Sequence, residues 1–113
     1  MQLLLAVINH AELVDDVLAS FVELGITGAT VLESRGMGRV LSRDVPIFAG
    51  VPELREESRP ENRTVLCVVS DEKADSAIIM IQAVIGSLDQ PGAGIACLLP
   101  LTRVVGLARE LGG

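Results

Sequence analysis

Two amphipathic stripes of helical period, set between dense apolar runs, constrain this chain more than any other feature. The run Gln2–Ile8 is continuously apolar and β-compatible, and segments 63–70 and 95–101 repeat that character, as inner strands do. Between the first run and residue 25, Leu13, Val14, Val17, Leu18, Phe21, Val22 and Leu24 recur at three- and four-residue intervals, opposite Glu12, Asp15, Asp16 and Ser20. That spacing predicts a helix, with acids in its first turn and Gly25 as its left-handed stop. A second stripe, Ala74, Ala77, Ile78, Ile81, Val84 and Ile85, opens on Asp71 and Glu72, with Ser70 or Asp71 as cap, and ends at Gly86.

Segment 29–41 reads as a second strand interrupted by Gly36 and Gly38, and 103–107 as a candidate short fifth strand. The order is therefore β-α-β-β-α-β. This predicts an α+β, ferredoxin-like βαββαβ fold: a four-stranded antiparallel sheet with both helices on one face. The strands are apolar on their other face as well, and an uncovered apolar face calls for a partner subunit.

The chain has 113 residues, read as one domain spanning 1–113. Half of them are hydrophobic, yet there is no Trp or Tyr and only two Phe, so Leu, Ile, Val and Ala must build the core. The net charge is −6, Lys73 is the single lysine, and the arginines are interleaved with acids. No basic patch for nucleic acid is expected. No apolar run reaches the roughly 18 residues of a membrane span, and the N-terminus lacks the features of a signal peptide. The expected compartment is the cytoplasm. Cys67 and Cys97 lie in apolar runs and read as two buried thiols. One His, with no second His or Cys near it in sequence, points to no metal site, and no nucleophile–base constellation argues for an enzyme.

What remains is a long aperiodic segment, 42–62, and two glycine pairs. Connections longer than roughly 12–15 residues are usually functional or disordered. The Gly36-Met37-Gly38 and Gly92-Ala93-Gly94 turns can present backbone N–H groups to an anion, or can be an ordinary bulge and turn. Arg35 and Arg39 flank the first as anion contacts or solvated charges. Arg103, the one charge in an apolar run, is either half of an ion pair or a phosphate contact. Within the loop, Val45, Ile47, Phe48 and Arg55 form a partner-docking candidate, or the apolar ones fold back on the core.

Glu23 to Val31 (ELGITGATV), Arg35-Gly-Met-Gly-Arg39, the long loop after it, the Gly-x-Gly of 92–94 and Arg103-Val-Val carry a resemblance that covers nearly the whole chain. The chain resembles the PII signalling proteins, the nitrogen regulatory P-II superfamily. The resemblance implies a homotrimer and adenine nucleotides in the clefts between subunits. It makes 42–62 a T-loop that acts on a membrane transporter or metabolic enzyme, and 87–94 a B-loop. Thr30 falls where the family places a residue near the adenine or ribose.

The chain also departs from the family pattern. The B-loop lysine is Ile95, the glutamine after Gly-x-Gly-Arg is Val40, two C-terminal phosphate-binding arginines are Gly106 and Ala108, and the T-loop holds no Lys or Tyr. Each lost charge-assisted contact costs about 1.5–3 kcal/mol. The implied effector is therefore ADP, AMP or a cyclic nucleotide rather than ATP, with no required cofactor. The alternatives are a trimeric scaffold that has lost its ligand and a metal-handling trimer of the same architecture.

Overall fold

The computed structural model describes residues 1–44, 62–89 and 92–107. Its elements are β1 (Gln2–Ile8), a 3-10 turn (Ala11–Leu13), α1 (Val14–Glu23), β2 (Ala29–Ser34), α2 (Met37–Asp44), β3 (Asn62–Val69), α3 (Asp71–Ile85) and β4 (Gly94–Pro100). The four strands form one antiparallel sheet in the order β2-β3-β1-β4. This is the expected ferredoxin-like arrangement, in which each main helix joins two parallel strands separated by a third.

The period-2 alternation of the strands decides where the core lies. Leu4, Ala6 and Ile8 of β1 and Val65, Cys67 and Val69 of β3 point to the helical side and are fully buried. There they meet Val14, Val17 and Phe21 of α1 and Ala74, Ala77 and Ile81 of α3. Both helices end as their glycines require: Gly25 and Gly86 have φ of 83° and 91°, the left-handed region that glycine enters without a steric penalty.

Three expectations need correction. The second strand ends at Ser34, and residues 37–44 form the helix α2. Met37, Val40, Leu41 and Asp44 hold a three- and four-residue spacing that the two glycines disguise, and the Gly36 carbonyl accepts the first helical hydrogen bond from Val40 N–H at 3.1 Å. Of the expected loop 42–62, residues 42–44 thus belong to α2 and Asn62 to β3; the rest lies outside the described residues. Segment 103–107 forms no strand. Finally, Cys67 is buried but Cys97 is exposed, because alternation along β4 sends its side chain away from the helices.

The face opposite the helices stays open. Register aligns Thr30, Leu66, Leu5 and Cys97 in one row across the four strands, and Leu32, Thr64, Val7 and Ile95 in the next. Leu32, Ile95 and Leu99 are 45%, 58% and 42% exposed, which marks this face as unpartnered within the described chain.

Candidate functional site

Both glycine pairs lie at one end of the sheet, Gly36 and Gly38 at the start of α2 and Gly92 and Gly94 at the start of β4. Ser34 pairs with Asn62, and the next row aligns Glu33, Arg63, Ile8 and Gly94. The end of β2, the start of β3, the end of β1 and the start of β4 therefore share a rim. β2 and β4 are its two edges, and three strand spacings put the pairs about 14 Å apart across it.

The 92–94 turn is locked onto this rim. Gly92 and Gly94 have φ of 78° and 140°. A Cβ built on Gly94 would lie 2.3 Å from the Val7 carbonyl oxygen, so β4 can start against β1 only with glycine here. Ala93 is buried between them, and Asn9 Nδ2 donates to the Gly92 carbonyl at 2.9 Å. Asn9 was not among the residues expected from sequence; a polar residue ending an apolar strand was the available signal.

At the other edge, Arg35 and Met37 are exposed and Gly38 is buried; Arg39 lies in the first turns of α2. Beneath Gly36 sits a cluster that sequence reasoning missed. Ser34 Oγ donates to Asn62 Oδ1 at 2.7 Å, and Thr64 Oγ1 donates to Ser34 Oγ at 2.9 Å. Arg63 donates through Nη1 to the Asn62 carbonyl and lies 3.8 Å from Glu33.

Two predicted site residues stand apart from the glycines. Thr30 lies on the open face four positions before Ser34, about 13 Å along the strand. Arg103 follows the far end of β4, where Pro100 pairs with Gln2, roughly 20 Å from the Gly94 row. It is exposed and makes no ion pair among the described residues. It borders an open groove of about 310 Å³ together with Met1, Leu101, Thr102, Val104 and Leu107. One chain does not bring Thr30 or Arg103 to the glycine rim. Val45, Ile47, Phe48 and Arg55 lie outside the described residues.

The Met1 ammonium donates to Asp71 Oδ1 at 3.2 Å. This hydrogen bond, then one from Gln2, holds the Asp71 carboxyl below its ordinary value. Among the described residues, no group of three or more His, Cys, Asp or Glu side chains is placed to hold a metal ion, and no helix is long and apolar enough to cross a membrane.

The family model described as nitrogen regulatory protein P-II matches residues 1–109. The chain belongs to the P-II family. The match runs from β1 past β4, so the glycine rim, the open sheet face and the Arg103 segment all lie inside it. No curated protein matches the chain in sequence. As a P-II protein it belongs to a family of regulators, and its 92–94 turn has a tight backbone, with positive φ at Gly92 and Gly94 and a buried Ala93 at its centre.

Proposed function

We propose that this P-II protein is a cytoplasmic homotrimeric sensor that binds an adenine nucleotide between subunits and acts through the segment after α2 on a transporter or enzyme. The observation that carries the reading is the separation of the site residues. The two glycine pairs, at the start of α2 and the start of β4, sit on opposite edges of one rim, with Thr30 further along the β2 edge and Arg103 beyond the far end of β4. A single small ligand can meet several of these groups only where edges of different copies come together. The open face, with exposed Leu32, Ile95 and Leu99, supplies the apolar surface for that assembly.

The glycine segments supply backbone donors, and the basic groups expected from the sequence to meet phosphate are Arg35, Arg39 and Arg103. That sparse cationic set supports AMP, ADP or a cyclic nucleotide over ATP as effector, since each added phosphate needs its own charge-assisted contacts. The effector works by binding two states of the protein with different affinity. Titration calorimetry against AMP, ADP, ATP and cyclic AMP tests the reading: the first two or the cyclic nucleotide should bind below millimolar, and binding by none of the four sinks the nucleotide-sensor version. A trimeric scaffold without ligand is the second reading, favoured by Gly106 in the strand-free segment after β4, where it offers no charge.

A further inference from the structure

The turn that starts β4 is held by a side chain from the end of β1. Asn9 follows Ile8, the last residue of β1, and its Nδ2 donates to the Gly92 carbonyl at 2.9 Å. Gly92 and Gly94 both have positive φ, and glycine has little intrinsic preference among such conformations. Gly94 is fixed separately by its close approach to the Val7 carbonyl, and Ala93 by the burial of its methyl group. What the Asn9 bond adds is the orientation of the Gly92–Ala93 peptide plane. That peptide is trans and planar, so its N–H points opposite to its C=O. With the Gly92 carbonyl turned toward Asn9, the Ala93 N–H is aimed away from the end of β1.

We propose that Asn9 is a positioning residue of the glycine-rim site: it sets the Gly92–Ala93 peptide so that the Ala93 N–H stands ready as a donor to the phosphate of the bound nucleotide. The inference rests on the nucleotide reading above. Its weight comes from the residue after the turn. Ile95, and not a cation, follows Gly94, so an anion at this edge of the rim depends on backbone donors. A donor oriented before binding adds no ordering cost when the ligand arrives. Without the Asn9 amide, the Gly92–Ala93 peptide is free to turn over and present a carbonyl oxygen to the phosphate in place of the N–H.

The test measures AMP and ADP binding by calorimetry for the wild type, Asn9→Ala, Asn9→Asp and Ile81→Val. Asn9→Ala removes the donor. Asn9→Asp keeps the shape but sets a carboxylate against the Gly92 carbonyl. Ile81→Val loosens the fully buried core without touching the turn. Both Asn9 variants should weaken AMP and ADP by about threefold to thirtyfold, with Ile81→Val within about twofold of wild type. The 1H–15N resonance of Ala93 gives the second readout. Saturating AMP should move its amide proton downfield in the wild type and less in Asn9→Ala. Wild-type affinity in Asn9→Ala, or an Ala93 amide that AMP leaves unmoved in the wild type, overturns the assignment while the nucleotide reading stands. A loss in Ile81→Val as large as in Asn9→Ala reduces the effect to general stability and also overturns it. Wild-type protein that binds neither nucleotide overturns the nucleotide reading, and the assignment with it.

Discussion

Gly94 is the residue whose replacement the structure prices most sharply, because two separate penalties coincide there. Its φ of 140° is a region that side-chain-bearing residues rarely enter, a strain of about 1–3 kcal/mol. A Cβ would also stand 2.3 Å from the Val7 carbonyl oxygen and 3.4 Å from its carbon. That obstacle is backbone inside the β1–β4 ladder and cannot swing aside. Relief requires the start of β4 to move off β1, giving up one or two ladder hydrogen bonds at about 1 kcal/mol each. Gly94→Ala is therefore expected to destabilise by about 2–5 kcal/mol, a fall in Tm of roughly 10 °C or more for a domain of this size. Two controls separate the terms. Gly86→Ala has φ strain (91°) with nothing within 4 Å of the added carbon, and Gly28→Ala has neither strain nor contact. They should cost about 1–2 kcal/mol and about zero respectively. Thermal and urea unfolding at fixed protein concentration gives the series. Gly94→Ala no worse than Gly86→Ala would refute the close-approach account of the 92–94 turn.

Phe21→Ala, at a position 1% exposed in the centre of the core, should cost about 3–5 kcal/mol, read as a lower urea midpoint with little change in m. The open face is tested by Leu5→Asp: sedimentation should show a trimer for wild type and monomer for the variant. Cys97, in the same row as Leu5, should react with a thiol reagent only in the variant, while buried Cys67 reacts in neither folded form. For Asp71, the folded carboxyl lies below its ordinary value, so the unfolded state binds more protons as pH falls. The contribution is complete above the unfolded carboxylate pKa of about 4 and lost as pH drops through the folded value. The stability–pH curve of Asp71→Asn should be flatter in that acid window, and an unchanged slope would show that the exposed Met1–Asp71 pair is inconsequential.

Most of the fold was legible because each long element advertises its own period. The dense apolar runs of β1 and β3 and the helical stripes ending at Gly25 and Gly86 are local signals, and their order leaves one economical topology. The helix 37–44 was hidden by glycine: two residues of low helix propensity stand in its first turn and just before it, and outweigh the spacing of Met37, Val40 and Leu41 on inspection. The exposure of Cys97 could not be read from a uniformly apolar run such as Ile95–Cys97–Leu99, since the phase of an alternation is invisible when both phases are apolar.

The site was only half legible. Gly92, Gly94 and Gly36 stand out because backbone needs glycine for few reasons, and two of them have the positive φ that justifies it. Asn9 and Asn62 did not stand out, since a lone Asn at a strand end is ordinary until register gives it a partner. By itself, then, the sequence determined the α+β class, the order of the four strands and two main helices, and membership of the P-II pattern, because those follow from periodicity and motif. Only the tertiary structure decided that the two glycine pairs share one rim on opposite edges, that Thr30 and Arg103 stand away from it, and that Asn62 lies buried under Gly36. Those facts depend on which residue faces which across strands distant in sequence, and antiparallel register, absent from any local pattern, sets them.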